Sequence, residues 1–217
     1  MNEAKKNYKH IIFDFDGTIN DTSEGIYRTF TTVLGHFGVD ATGRDLSEHI
    51  GPPLKYSYTK LLGADRCDEA IALHRKVFVD INAIALSKLY DGAIEMLDRV
   101  SRCGKYTMSV ASCKYQPHLL SSLKLLNIDK YFDYVYAQTA TRQYKADVLE
   151  ALIVENCLNR RECLLVGDTI NDLDGAKACG IDVAAVTYGF GKREELASSN
   201  AVALLDSPVQ VAEYLGA

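Results

Sequence analysis

The sequence predicts a three-layer α/β/α protein in which a parallel sheet lies between helices and an α-helical cap domain is inserted into the core. Three observations support this prediction. From residue 90 onward, short β-favouring runs alternate with segments of helical periodicity, as expected of parallel strands joined by crossover helices. No strand pattern appears between residues 20 and 100, and residues 20–87 show helical spacing. The chain has 217 residues, 47% of them hydrophobic, and can bury a full core.

The first predicted strand is the apolar run 11–13, which leads directly into Asp14, Phe15, Asp16 and Gly17. This run predicts a buried strand that ends where charge begins. Residues two apart in an extended chain share a face, so Asp14 and Asp16 can converge on one site, and Gly17 permits a sharp turn. A divalent cation that prefers oxygen ligands, most simply Mg²⁺, would relieve their repulsion. On this stretch alone, an ordinary Asp-Gly turn remains the alternative.

The predicted cap begins after this strand. Polar side chains at residues 20–23 offer helix N-caps, and the Gly51-Pro52-Pro53 turn divides the helical pattern. A purely helical block between a first strand and a later strand–helix alternation indicates an inserted domain. We therefore predict a helical cap domain at residues 20–87 and a core formed by residues 1–19 and 88–217. The cap helices are predicted at residues 22–37, 55–62 and 66–84, with a short helical piece between residues 42 and 51.

The core pattern resumes near residue 90 with a helix that ends near Gly104. Strands and helices then alternate to the end of the chain. This order predicts a Rossmann-like parallel sheet whose ligand site lies beyond the carboxyl ends of the strands. The predicted strands occupy residues 106–111, 134–136, 162–167, 183–186 and 201–205, and the predicted helices residues 119–126, a segment from 142, 170–179 and 209–215.

The predicted strand 162–167 ends at a second acidic motif. Asp168 follows this strand, and Asp172 lies in the first turn of the next predicted helix. Both carboxylates can therefore face one site near the positive end of the helix dipole, where metal ligands are favoured. Taken alone, Asp168 is equally suited to be an N-cap and Asp172 a solvated first-turn acid. Their combination with Asp14 and Asp16 favours a metal site.

Charge and composition argue against several classes of partner. The net charge is −5, from 29 acidic and 24 basic residues without a basic stripe, so we expect no nucleic-acid partner. The first residues contain no apolar signal region and no run of 18 apolar residues occurs, so we expect a cytoplasmic protein with no membrane partner.

The six cysteines lack C-x-x-C spacing and the five histidines lie in no catalytic motif, so both sets are interpreted as structural. We expect a monomer or a homodimer.

Residues 11–18 and 166–172 together resemble the first and last motifs of the haloacid dehalogenase-like hydrolases. Phosphatases of that family carry an apolar run followed by Asp-x-Asp-Gly-Thr and, later, Gly-Asp-x-x-x-Asp. The continuation at residues 175–181 is also similar to the family. The resemblance implies that the first aspartate is a nucleophile and the second a general acid/base. It assigns these roles to Asp14 and Asp16, substrate contact to Gly17 and Thr18, and Mg²⁺ binding to Asp14, Asp16, Asp168 and Asp172.

Two further motifs of the family are matched less specifically. Ser112 follows a predicted strand and resembles the family Ser/Thr whose hydroxyl binds phosphate, with Ser109 as the alternative. Lys145 resembles the family lysine, with Arg142 as the alternative. A hydroxyl, an ammonium and a metal ion are groups that stabilise a transferring phosphoryl group. The same comparison places Cys113 and Lys114 at the substrate.

The resemblance implies an Mg²⁺-dependent phosphatase acting on a small phosphorylated metabolite. Dehalogenases of this family lack the second aspartate of the first motif, which is present here as Asp16. Sugar phosphomutases keep a cap histidine where Ile26 and Arg28 stand, so hydrolysis is preferred. A binding protein without activity would not need the complete acidic set.

The substrate is expected to be selected by the cap. Residues 51–55 and 188–191 resemble loops of phosphoglycolate phosphatases, so 2-phosphoglycolate is the first expectation. Pyrophosphate, a nucleotide or a sugar phosphate are the alternatives, because similar loops occur in relatives that act on them. The phosphoglycolate phosphatase branch also usually has Lys-Pro-x-Pro where this chain has Lys145 and Ala146. Lys55 is the expected cap contact, followed by Tyr27 and Arg28.

Overall fold

The computed structural model describes residues 7–217, so the first six residues of the predicted core segment 1–19 lie outside the described residues. It contains a six-stranded parallel sheet and a two-stranded antiparallel ribbon. Among the described helices, none is both long and apolar enough to cross a bilayer. The strands are β1 (His10–Phe13), β2 (Asn20–Asp21), β3 (Lys88–Leu89), β4 (Thr107–Tyr115), β5 (Tyr134–Gln138), β6 (Cys163–Gly167), β7 (Asp182–Val186) and β8 (Ala203–Leu205). The α-helices are α1 (Ser23–His36), α2 (Leu54–Leu62), α3 (Ala64–Asp80), α4 (Ala93–Arg102), α5 (Gln116–Leu125), α6 (Lys145–Glu155), α7 (Ile170–Cys179), α8 (Arg193–Ala197) and α9 (Pro208–Leu215).

The large sheet has the strand order β5-β4-β1-β6-β7-β8, which places β1 between β4 and β6. Ile11 and Phe13 pack into one hydrophobic cluster with α4, α5 and α9, whereas Ile12 packs into a second cluster with α6 and α7. Helices therefore cover both faces of the sheet, and this explains why β1 is continuously apolar rather than alternating. The structure confirms the predicted α/β/α, Rossmann-like fold.

Helices α1, α2 and α3 form a third hydrophobic cluster around Phe30, Tyr58 and Ala70. The two chain connections between these helices and the sheet lie side by side, because β2 pairs with β3 and sets Asn20 opposite Leu89. The prediction that no strand occurs between residues 20 and 100 is therefore wrong at β2 and β3. Two-residue strands are too short to show periodicity in the sequence, and the two partners here are separated by the whole helical block.

Several element boundaries also differ from the prediction. Strand β4 extends to Tyr115, beyond the predicted end at Ala111, and its register with β5 shifts between Ser112 and Tyr115. Ser112, the predicted phosphate-binding residue, lies at this irregularity, and β-bulges are common next to active sites. Helix α6 begins at Lys145 rather than near Arg142, and the short helix α8 was not predicted.

Helix α1 offers a matched pair of glycines for testing how the cap helices are held. A Cβ at Gly25 would lie 2.4 Å from the carbonyl oxygen of Ala83, whereas a Cβ at Gly35 would meet nothing within 4 Å. We expect Gly25→Ala to destabilise the protein by about 1–3 kcal/mol through overpacking. Gly35→Ala should stabilise it by up to about 1 kcal/mol, because alanine favours the helix. Urea unfolding of both variants measures these effects, and equal stabilities would contradict the tight α1 packing.

Candidate active site

The first acidic motif lies where β1 leaves the sheet. The Asp14 amide donates to the Val166 carbonyl (2.9 Å), which keeps this residue in line with the strand, and its carboxylate is buried. The chain then turns at Gly17, whose φ is +89°. A Cβ at Gly17 would lie 2.1 Å from Asp168 Oδ2, so only glycine allows this turn to approach the second acidic motif.

The second acidic motif connects β6 to α7. The carboxylate of Asp172 accepts a hydrogen bond from the Thr169 amide (2.9 Å) and so satisfies the helix N-terminus. Asp168 is therefore not the helix cap. Its Oδ1 accepts from the Thr18 hydroxyl (3.0 Å) and its Oδ2 from the Phe190 amide (2.8 Å), which fixes the side chain on the first motif.

Asp14, Asp168 and Asp172 form a buried cluster in which one carboxylate oxygen from each lies within 4.8 Å of the others. Lys145 Nζ lies 2.8 Å from Asp14 Oδ1 and 2.7 Å from Asp172 Oδ1. It also donates to the Ala111 carbonyl (2.9 Å). Lys145, rather than Arg142, is thus the cation beside the cluster. The Arg142 guanidinium instead lies 5.2 Å from the ring centroid of Tyr136.

The cluster is electrostatically suited to a divalent cation. Burial raises the pKa of Asp14 to about 7 against the opposing charge of Lys145, and burial together with Asp172 raises the pKa of Asp168 well above its ordinary value. Burial alone would lower the pKa of Lys145, but Asp14 and Asp172 raise it. Asp14 Oδ1 and Asp172 Oδ1 are buried and accept no hydrogen bond of good geometry from residues 7–217, although Lys145 Nζ lies within 2.8 Å of each. Oxygen ligands of this kind fit Mg²⁺.

Asp16 lies outside this three-carboxylate group. Its Oδ1 is 2.9 Å from Lys114 Nζ, and both side chains are almost fully buried. The Lys114 ammonium also lies 5.0 Å from the ring centroid of Phe78, which belongs to α3. The pair therefore joins the first motif to the loop after Ser112 and lies directly beneath the cap helices.

The predicted phosphate-binding serine lies at the irregular end of β4. Ser112 is buried, and its Oγ accepts a hydrogen bond from the Lys114 amide (3.1 Å). The alternative, Ser109, is fully buried within the strand. Ser112 and Cys113 line a cavity with Asp14, whereas Ser109 does not.

That cavity has a volume of about 60 Å³ and lies between the cap helices and the carboxyl ends of the strands. Lys55 does not line it. It lines an adjoining depression that shares Leu54, Arg75 and Gln138 with the cavity. Of the predicted second choices, Arg28 pairs with exposed Glu24, and the Tyr27 hydroxyl accepts from the Gly43 amide, so neither faces the cavity. The core side of the cavity is formed by Asp14, Asp16, Ser112, Cys113, Lys114, Tyr115, His118 and Gln138.

The cap side contains residues that the sequence analysis did not identify. Arg75 and Phe78 of α3 line the cavity beside His74. Phe78 stacks on His118 of the core with ring centroids 4.3 Å apart, and the His74 ring accepts from or donates to the Tyr58 hydroxyl (2.8 Å). The helical spacing of α3 marked only its apolar face, and no motif distinguished Arg75 from surface charges.

The two acidic motifs, Lys145 and the helices α1–α3 thus surround one region at the carboxyl ends of the strands. A model of the haloacid dehalogenase-like hydrolases matches residues 11–186, which contain every core carboxylate described above. The chain belongs to this family.

Relatives with different activities share much of the sequence. A 5'-nucleotidase of Pseudomonas aeruginosa is 32% identical over 201 residues, covering 90% of each chain. The pyrophosphatase PpaX of Bacillus velezensis is 31% identical over 182 residues, covering 82% of each chain. Phosphoglycolate phosphatase 1 of P. aeruginosa is 25% identical over 209 residues, covering 91% of this chain and 76% of the relative.

Solved structures show the same architecture. A predicted phosphatase of Clostridium acetobutylicum superposes with a TM-score of 0.90 at 26% identity, covering 96% of this chain and 98% of that one. Protein tyrosine kinase A (PtkA) of Mycobacterium tuberculosis superposes with a TM-score of 0.81 at 28% identity, covering 98% and 100%. Proteins with this fold therefore carry names of different activities, and the substrate has to be inferred from the residues of the site.

Asp168→Asn tests whether the buried carboxylates repel one another without a cation. The amide keeps the shape, since its carbonyl can accept from Phe190 and its NH₂ can donate to Thr18. Without metal, the variant should have a higher Tm than the wild type, by about 2–4 °C for each kcal/mol of repulsion that the substitution relieves. The raised pKa of Asp168 means that folding penalises its ionised form, so this advantage should grow as pH rises.

Mg²⁺ should raise the Tm of the wild type and raise that of Asp168→Asn by less. Asp174→Asn, an exposed substitution on the following helix α7, is the control and should behave like the wild type. A wild-type Tm that does not respond to Mg²⁺ would show that the cluster is not a metal site.

Proposed function

We propose that the protein is an Mg²⁺-dependent phosphatase that hydrolyses a small phosphomonoester through an aspartyl-phosphate intermediate. The observation that carries this proposal is the position of Asp14. It lies at the end of β1, paired with Lys145, grouped with two further buried carboxylates and open to the cavity that also contacts Asp16 and Ser112. Family membership supports the same chemistry.

In the first displacement, a carboxylate oxygen of Asp14 forms a bond to phosphorus while the bond from phosphorus to the alkoxide oxygen breaks. Asp16 donates a proton to the departing alkoxide. Because Lys114 holds Asp16 Oδ1 in the present arrangement, substrate phosphate must first draw Lys114 away. The Ser112 hydroxyl and Lys114 then bind phosphoryl oxygens.

In the second displacement, Asp16 removes a proton from a water molecule that attacks the phosphorus of the aspartyl phosphate. The bond from phosphorus to Asp14 breaks, and inorganic phosphate leaves. Lys145 keeps Asp14 and Asp172 in position throughout. Bound Mg²⁺, held by Asp14, Asp168 and Asp172, would offset the negative charge that develops on the phosphoryl oxygens.

2-Phosphoglycolate is the substrate we propose first. The cavity of about 60 Å³ suits a small substrate, and the relatives include a phosphoglycolate phosphatase. A nucleotide is the second candidate, because a 5'-nucleotidase is among the relatives and the Phe78–His118 stack provides an aromatic wall. We place pyrophosphate and sugar phosphates after these. A phosphomutase or a metal-free dehalogenase lacks support from the residues at the site.

Asp14→Asn should abolish turnover while the protein stays folded, because the amide resembles the carboxylate in shape and cannot act as the nucleophile. We expect kcat for an aryl phosphate to fall by at least about 1,000-fold. Circular dichroism checks the fold, and Asp174→Asn serves as the exposed control. Activity within about tenfold of the wild type would remove Asp14 from the nucleophile role.

Activity should require Mg²⁺. Chelator should abolish hydrolysis of the aryl phosphate, and added Mg²⁺ should restore it, because only a cation balances the carboxylates of the site. Titration of activity against free Mg²⁺ measures the requirement. Full activity in excess chelator would contradict the proposal and support a mechanism that needs no metal.

A further inference from the structure

Arg75 is a cavity residue whose charge has no acidic partner among residues 7–217. Its Nε is buried and makes no hydrogen bond with the described residues. The guanidinium carbon lies 4.2 Å from the ring centroid of Tyr115, so an aromatic ring of the core supports this cap side chain. By contrast, Lys114 is paired with Asp16, and Lys145 with Asp14 and Asp172.

Arg75 forms no ion pair within 4.0 Å among residues 7–217, including with Asp68, which borders the adjoining depression beside it. The acids that line the cavity are Asp14 and Asp16, which belong to the core and have lysine partners of their own. Burial and the neighbouring positive groups lower the pKa of His74 to about 3 and that of His118 to about 4, so both are neutral near pH 7. A guanidinium group that lines a cavity and has an N–H without a protein acceptor is well suited to bind a carboxylate or phosphate through two hydrogen bonds.

Resting on the proposed phosphatase function, we propose that Arg75 binds a second anionic group of the substrate, at the end remote from the phosphate. The substrate class is then a small organic phosphate or a diphosphate that carries another carboxylate or phosphate. Arg75 lines the same cavity as Asp14 and Ser112, so a substrate whose phosphate lies at Asp14 can present its other end to Arg75. A carboxymethyl group or a second phosphate would supply the anion at that end.

The experiment compares substrates that differ mainly in the second charge. The pair 2-phosphoglycolate and ethyl phosphate tests a carboxylate, while pyrophosphate tests a second phosphate, and AMP tests a nucleoside. For the wild type, kcat/KM should be higher for 2-phosphoglycolate or pyrophosphate than for ethyl phosphate and AMP. Arg75→Gln should reduce the ratio of kcat/KM between the doubly anionic substrate and ethyl phosphate by about 10- to 100-fold.

Two further variants make the result specific to the charge of residue 75. Arg75→Lys keeps the charge without the planar fork and should retain part of the preference. Arg66→Ala removes an exposed arginine from the same helix and should leave the ratio unchanged. If Lys55→Ala lowers the ratio and Arg75→Gln does not, the second anion is bound in the adjoining depression and the proposal for Arg75 is wrong.

A binding measurement separates this inference from the phosphatase proposal. Calorimetry in Mg²⁺ with phosphonoacetate and ethylphosphonate, which cannot undergo phosphate-ester hydrolysis, should show tighter binding of phosphonoacetate to the wild type than to Arg75→Gln. Equal binding by both proteins, or preferential turnover of AMP, would overturn the inference for Arg75. Absence of turnover with every phosphate, alongside an Arg75-dependent preference for phosphonoacetate, would overturn the catalytic proposal alone.

Discussion

The burial of three neighbouring carboxyl groups is the constraint on which this structure depends. Three carboxylates lie within 4.8 Å of one another at the ends of β1 and β6, and Lys145 approaches two of them. Such a group tolerates burial only when its lone pairs meet cations or donors. The central position of β1 beside β6 brings the two motifs together, and Thr18, Thr169 and Phe190 supply the donors. The fold thus provides the rigid support that a repulsive site requires.

The sequence predicted those parts of the molecule that are encoded locally. The apolar run of β1, the acidic residues after β1 and β6, and the helix that begins with Lys145 each have a signal within about ten residues of chain. The parallel sheet followed from the alternation of strands and helices. These patterns are informative because burial on both faces and charge at a strand end leave few local alternatives.

The remaining features depend on contacts between distant segments. The β2–β3 ribbon, the Lys114–Asp16 pair and the stacking of Arg75 on Tyr115 each join residues that are far apart in sequence. The periodicity of the sequence does not reveal such pairings. In the sequence, an arginine at a polar helix position cannot be distinguished from a charge exposed to solvent. Lys55 was expected at the cavity because its loop matched a family pattern, while α3 contributes Arg75 to the lining. The acidic motifs were therefore easier to recognise in the sequence than the residues of α3 that line the cavity.

The glycine turn beneath Asp168 has a consequence for how such a protein can diversify. A methyl group at Gly17 would overlap Asp168 Oδ2 at 2.1 Å, and one at Gly189 would lie 2.4 Å from the same oxygen. A methyl group at Gly189 would also meet the backbone oxygen of Gly17 at 2.3 Å, so two loops distant in sequence are packed against each other and against Asp168 without room for a side chain. By contrast, Arg75 and Phe78 of α3 border the cavity. The two loops should therefore tolerate substitution less well than these cavity-lining positions.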